Sequence, residues 1–257
     1  MSIITLTTDW NKDDFYIGAL KGKILSLCST ATIIDITHKI KPLNIPEAAF
    51  VLRNTYQHFP EKSIHILAVK SVAEKNRNTV LVKKDNHYFI GADNGVFGLL
   101  FREAPDQIIK LEDSATYPTF PALSIFAETA SKLASGELPE NLGEDTKDLY
   151  KRIPLRPTID ESVIIGRVVY IDSYANAITN ITKDLFYRVA NNRSFQIFVQ
   201  SNTNKINRIS KTYSDTPEGE LLALFNSLNL LEIAMNGGNA AEILALTTDS
   251  TVRIRFR

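Results

Sequence analysis

The sequence lacks most of the features that announce a function class. Its 257 residues hold one cysteine, one tryptophan and two methionines. A single cysteine, Cys28, cannot close a disulfide within the chain, so a disulfide-stapled scaffold is excluded and a reduced compartment fits. Cys28 ends an apolar helical stretch and reads as a buried thiol. Lys plus Arg (29) equals Asp plus Glu (29), and the formal net charge is zero. No overall field draws the chain to nucleic acid or to an anionic membrane. No apolar run approaches the ~18 residues of a membrane span. The chain opens on Ile3-Ile4-Thr5-Leu6-Thr7-Thr8, which does not read as a signal peptide. A cytoplasmic protein without membrane or nucleic-acid partners is expected. There is no Walker loop, no G-x-G-x-x-G, no G-x-S-x-G, no CxxC and no H-E-x-x-H. His38, His58, His65 and His87 are not at metal-ligand spacing, so no metal is expected and each reads as structural or exposed.

What is present is an ordinary hydrophobic fraction arranged in two patterns. The first half alternates β-branched runs with helical spacing. Strands are predicted over 3–8, 32–36 and 63–69, and helices over 14–28 and 45–58. Asp13 and Asp14 suit the start of the first helix, and Pro46 suits the first turn of the second. This βαβαβ order predicts a mainly parallel sheet flanked by helices, an α/β domain. A hairpin is predicted at 79–91 around Lys84-Asp85-Asn86, and a helix over 122–135 before Gly136. Residues 137–160 are rich in Pro and charge and read as a domain boundary, giving domains 1–155 and 156–257. Beyond it come short β-like runs at 163–171, 194–200, 205–209, 221–225, 230–235 and 251–256. They predict a small antiparallel, barrel-like β domain. Asn236-Gly237-Gly238-Asn239 is a turn that uses glycine's access to positive φ.

Taken one at a time, the polar motifs have two readings each. Thr7-Thr8-Asp9 ends the first strand, where α/β sheets bind ligands. Asp9 there either accepts the hydroxyls of a vicinal diol or serves as a loop or cap carboxylate. Asp93-Asn94-Gly95 is either a ligand loop or a good turn. Asp172, Tyr174, Asn176 and Asn180 form a dense polar cluster in apolar surroundings, either a turn network or a ligand site. Asn226, Ser227 and Glu232 interrupt apolar runs. An inward Glu232 would need a cationic partner, and an outward one would need nothing.

Together these pieces resemble a known family. Thr7-Thr8-Asp9 with Asp14, Tyr16, Gly18, Lys21 and Gly22 is similar to the opening signature of the S-adenosylmethionine hydroxide adenosyltransferases. Ile34-Asp35-Ile36-Thr37-His38, Asp93-Asn94-Gly95, Asp172 through Ile181, Asn226-Ser227, Glu232-Ile233-Ala234 and Asn239-Ala240-Ala241 resemble its later blocks, in order over nearly the whole chain. The family includes S-adenosylmethionine hydrolases, a fluorinase and a chlorinase. The resemblance implies a homotrimer with the adenosyl ligand between the N-domain of one subunit and the C-domain of its neighbour. It implies no separate cofactor. It places Asp9 on the ribose, Asp172 and Ser227 on the methionine end, and Asn176 with the Asn239–Ala240 backbone on adenine. Tyr174 lines the pocket, and Asp14, Asp93, Asn94, Asn226 and Glu232 complete the candidate ligand-binding set.

The chain departs from the family where water is activated. The family's aspartate position is Lys70, its histidine position is Pro121, and only its arginine is matched, by Arg77. Glu74 and Glu128 are the remaining nearby carboxylates. The halide-binding hydroxyls of the halogenases fall on Ala73 and Ala122. Two unit charges 4 Å apart interact by roughly 4 kcal/mol at an effective dielectric of 20, so a Lys70 ammonium aimed at a sulfonium would oppose binding. Lys70 could instead be neutralised by Glu74, point to solvent or hold an anion. Three readings follow: a divergent enzyme that cleaves S-adenosylmethionine to adenosine and methionine, a non-catalytic binder of adenosine or S-adenosylmethionine, and a binder of another nucleoside.

Overall fold

The computed structural model describes residues 2–11, 13–72, 77–112 and 117–257. The chain forms two compact units, Met1–Ile153 and Pro154–Arg257. No helix among the described residues is long and apolar enough to cross a membrane.

The first unit is built on a seven-stranded sheet. Its elements are β1 (Ile3–Thr8), α1 (Phe15–Leu27), β2 (Thr32–Thr37), α2 (Ile45–Arg53), β3 (Ile64–Ala68), β4 (Thr79–Lys84), β5 (His87–Ala92), α3 (Val96–Leu100), β6 (Gln107–Leu111), α4 (Ile125–Ala134) and β7 (Gly143–Asp145). The order is β2-β1-β3-β5-β4-β6-β7; the first four strands are mutually parallel and the remaining pairings antiparallel. Period-two alternation sorts the strand residues between two cores. Ile64, Ile66 and Ala68 of β3 join Leu20 and Ile24 of α1 and Phe126 and Ala130 of α4. Leu67 and Val69 join Leu52 of α2 and Phe97 of α3 on the opposite face.

Local chemistry sets the helix ends. At α2, Asn44 accepts from the Glu47 N–H and donates to its carboxylate. The sequence predicts α2 to residue 58, but the α-helix stops at Arg53. The Asn54 amide takes the Phe50 carbonyl and the Thr55 hydroxyl takes that of Val51, leaving only a 3-10 turn over Tyr56–His58. Asp14 sits at the start of α1 without making a side-chain cap. The helix predicted from 122 begins at Ile125, because Pro121–Leu123 forms a 3-10 turn. Asp85 and Asn86 both adopt positive φ (50° and 59°), which gives the twist a tight hairpin needs. The run after Asp93-Asn94-Gly95 is a five-residue helix, α3. Gly98 on it is required sterically: a Cβ there would lie 2.9 Å from the backbone nitrogen of Arg152, in the segment that crosses α3.

The second unit is an eight-stranded antiparallel sheet: β8 (Thr158–Asp160), β9 (Val163–Ile171), β10 (Ala177–Thr182), β11 (Phe195–Val199), β12 (Lys205–Ile206), β13 (Leu221–Phe225), β14 (Leu230–Met235) and β15 (Thr251–Phe256). Its main path runs β12-β11-β15-β9-β10-β14-β13, and a Ser210–Leu224 bridge brings the two ends together, so the sheet is barrel-like. Ile164, Ile181, Ile197, Leu231, Val252 and Ile254 fill its interior. Two helices are additions to the sequence reading: α5 (Lys183–Ala190) and α6 (Ala240–Ile243). Thr182 caps α5 by accepting from Leu185, and Leu185, Phe186 and Ala190 face inward.

Candidate functional site

The carboxyl ends of β2, β1, β3 and β5 line one edge of the first unit, and the chain turns sharply at each. Asn11, Leu43, Lys70 and Gly95 all have left-handed φ (50°, 64°, 46° and 93°). For Leu and Lys that conformation is costly, about 1–2 kcal/mol each. Asp9 holds both of those residues. Its Oδ2 accepts the Leu43 N–H at 2.8 Å and the Lys70 N–H at 3.3 Å. Asn94 holds the other side of Lys70, its amide donating to the Val69 and Lys70 carbonyls at 3.1 Å each while its oxygen accepts from Val96. Lys70 is therefore pinned at both of its peptide groups by side chains from β1 and β5. Asp9 Oδ1 has no partner among the described residues, so one oxygen with two lone pairs remains for a ligand.

Behind this edge a polar chain runs from buried Thr8 and His38 out to the exposed Asp35. Thr8 Oγ1 lies 2.9 Å from His38 Nδ1, and Asp35 takes Lys21 at 2.6 Å. His38 Nε2 lies 3.2 Å from Asp35 Oδ1 without hydrogen-bond geometry. Burial pushes the Asp35 carboxyl up, and Lys21 and His38 outweigh it, leaving it below the usual range. On the β5 side, Asp93 accepts the Tyr150 N–H at 2.8 Å, and Arg77 lies 4.0 Å from its other oxygen and 3.8 Å above the Tyr150 ring. Burial raises the Asp93 pKa, opposed by the Tyr150 N–H and Arg77.

Pro121 and Ala122 are buried in the 3-10 turn ahead of α4. Glu128 on α4 faces Lys23 at 3.9 Å. Glu74 and Ala73 lie outside the described residues. Next to Asp9, Trp10 packs against Phe120 (5.2 Å between ring centres) and Tyr16 (5.9 Å), and Tyr16 against Phe120 (5.0 Å). Asp14 is exposed at the head of α1.

In the second unit, Asp172 closes a turn. Its carboxylate accepts from the Tyr174 and Asn176 backbones and from the Asn176 amide. Tyr174 rides on that turn with 76% of its surface exposed. The Ala175 carbonyl receives the Ala241 N–H, tying the turn to α6 beside Asn239 and Ala240. Glu232 points inward and is only 2% exposed, yet its partners are neutral: Tyr213 OH at 2.8 Å and the Asn226 amide at 3.0 Å. The cation expected for an inward Glu232 is thus replaced by two neutral donors. Burial and the Glu232 carboxylate push the Tyr213 phenol up to about 12. Asn226 is committed on its other side to Leu228 and Leu230. Ser227 and Asn239 are exposed, and Asn239 reaches Glu242 at 2.9 Å. Tyr213 escapes sequence reasoning because it lies 19 residues from its partner and in no periodic run. Trp10 had one available signal, as the single tryptophan directly after Asp9.

The model of the SAM hydroxide adenosyltransferase N-terminal domain matches residues 4–143, and that of the C-terminal domain matches residues 166–253. The chain belongs to the S-adenosylmethionine hydroxide adenosyltransferase family. An (R)-S-adenosyl-L-methionine hydrolase from Methanocaldococcus jannaschii is 31% identical over 95% of this chain and 92% of its own. A fluorinase from Actinopolyspora mzabensis is 22% identical over 98% and 96%. The crystal structure of an uncharacterised conserved protein from Thermotoga maritima superposes with a TM-score of 0.87 at 27% identity, over 99% of this chain and all of that one. At the level of the family, the chemistry is binding and cleavage of S-adenosylmethionine.

Proposed function

We propose that this chain binds S-adenosylmethionine through retained ligand-holding residues and has lost the means by which its family activates water. The observation that carries the reading is Asp9: one carboxylate oxygen is fixed by two backbone N–H groups and the other is left open at the carboxyl edge of β1. That oxygen can accept both hydroxyls of a ribose. Asp172 and Ser227 hold the amino-acid end, and Asn176, Tyr174 and the Asn239–Ala240 backbone surround the adenine. Asp93, Asn94, Asn226 and Glu232 serve by fixing the loops, since their polar atoms are taken up inside the fold. Asp14 is exposed at the head of α1. The two halves of the site come from neighbouring copies in a homotrimer, and no separate cofactor takes part.

Loss of hydrolysis is argued from side-chain chemistry. Displacement at C5′ of a sulfonium needs no acid, because the leaving thioether is neutral; it needs an oriented, deprotonated water. Pro121 offers no proton acceptor, and Lys70 offers a cation where a base is wanted. Arg77 is engaged by Asp93 and Tyr150. A second reading, a hydrolase working through other groups, is favoured by the curated name of the Methanocaldococcus relative.

Incubation of purified protein with S-adenosylmethionine, followed by chromatography for adenosine and methionine alongside titration calorimetry, separates these readings. Binding without product supports the proposal. Turnover that disappears in Arg77→Ala supports the hydrolase. Binding of nucleosides that is indifferent to Asp172→Ala supports a different nucleoside ligand. Native mass spectrometry tests the trimer.

A further inference from the structure

The sulfur of S-adenosylmethionine is a trialkyl sulfonium. It carries a fixed positive charge and no N–H or O–H, so hydrogen bonds cannot recognise it. A carboxylate in contact with it would itself be a nucleophile towards C5′. An aromatic face attracts the cation without that hazard.

We propose that Trp10, with Tyr16 and Phe120, forms an aromatic face that selects the sulfonium cation over the neutral thioether. This rests on the reading that Asp9 holds the ribose of S-adenosylmethionine. Only C4′ and C5′ separate C3′ of the ribose from the sulfur, so a ligand whose diol is on Asp9 carries its sulfonium past the neighbouring side chains. Trp10 is the next residue after Asp9, and Phe120 immediately precedes Pro121. The two rings meet edge to face at 5.2 Å and 75°, joining two loops that are 110 positions apart. Tyr16 closes the group at 5.9 and 5.0 Å. Trp10 and Phe120 rest on the core of α1 and α4, which fixes them from beneath. Their outer surfaces stay accessible: both are half-buried, and Tyr16 is 37% exposed. The rings are thus backed by the core, partly accessible, and carried by the residue that follows the ribose carboxylate; Phe15 packs on Tyr16 at 4.2 Å and leaves Trp10 and Phe120 as the principal pair.

The test is calorimetric titration of the full chain with three ligands: S-adenosylmethionine, S-adenosylhomocysteine (the neutral thioether) and adenosine. The expected result is a preference for S-adenosylmethionine over S-adenosylhomocysteine of about 10-fold in the wild type. That preference collapses to about 2-fold or less in Trp10→Leu and in Phe120→Leu, and is largely kept in Trp10→Phe, while adenosine binding changes by less than about 2-fold. Trp10 is the only tryptophan, so its emission adds a readout on the unmutated protein. S-adenosylmethionine should alter that emission and S-adenosylhomocysteine should do so much less. Equal wild-type affinities for the two ligands, or equal weakening of both in Trp10→Leu, would overturn the inference while leaving adenosyl binding intact. Absence of binding by all three ligands would overturn the inference and the proposed function together.

Discussion

The two units hold their polar candidates at different range along the chain: Asp9 bonds to residues 34 and 61 positions away, and Asp172 to residues 2 and 4 positions away. At the edge of the first, Asp9 and Asn94 spend their hydrogen bonds on backbone that would otherwise be strained, pinning Leu43 and Lys70 in the left-handed region. In the second, Asp172 and Asn226 spend theirs within their own turns, around the left-handed Ala175 and Asn229 (59° and 55°), and Glu232 accepts from the Tyr213 phenol. The first unit therefore couples ligand binding to loop geometry, since one carboxylate serves both. The second presents a rigid frame from which Tyr174, Ser227 and Asn239 project into solvent. All four histidines also lie in the first unit, so acid should distinguish the two.

The comparison breaks most sharply at Glu232. In Glu232→Ala, the Tyr213 hydroxyl and the Asn226 amide both lose their acceptor. Asn226 cannot rotate to find another, because its oxygen is held by two backbone N–H groups. A loss of about 2–3 kcal/mol, confined to the second unit, is expected from chemical denaturation. Asp9→Ala should cost about 2 kcal/mol in the first unit, because a charged acceptor of two N–H groups is removed from two left-handed residues. It should also weaken adenosine binding by about 10-fold or more in calorimetry. If stability is unchanged, the loops do not depend on Asp9 and the contrast between the units is wrong.

Acid sharpens the same contrast. His65 is buried between Thr5, at 2.7 Å, and His87, at 3.1 Å. Burial and then His87 lower its pKa to about 3, and burial lowers that of His87. Above about pH 6.5 these imidazoles are neutral folded and unfolded, and pH has no effect through them. Below it the unfolded chain takes up protons that the folded chain refuses. Stability then falls with pH by up to about 1.4 kcal/mol per unit for His65 alone, down to about pH 3. Thermal melts from pH 8 to 5 should show the first unit destabilised and the second nearly constant. The smallest effect is expected at Lys21→Ala, which removes a part-exposed pair with Asp35 and should change stability by less than about 1 kcal/mol, with the loss shrinking further in high salt.

Much of this is legible in the sequence. Periodicity located β1, β2, β3 and the β4–β5 hairpin, because period-two alternation and an Asp-Asn turn are local signals. It did not reveal α5, whose eight residues follow a polar strand end. Nor did it reveal α3, where an apolar run of five residues fits strand or helix equally. The polar motifs were visible as residue types, but their allegiance was not. Whether Asp93 and Asn94 face a ligand or a loop depends on Tyr150 and Lys70, which are distant in sequence. The inward turn of Glu232 depends on Tyr213, 19 residues away in sequence.

The central claim is that the ligand-holding residues remain while the water-activating ones do not. Its most direct test is a single sample of the wild-type chain with S-adenosylmethionine, in which calorimetric binding is followed by chromatography of the recovered ligand. The account predicts saturable binding, weakened about 10-fold or more by Asp9→Ala, with the S-adenosylmethionine recovered intact. Adenosine and methionine accumulating in proportion to protein and time, or binding indifferent to Asp9, would contradict it.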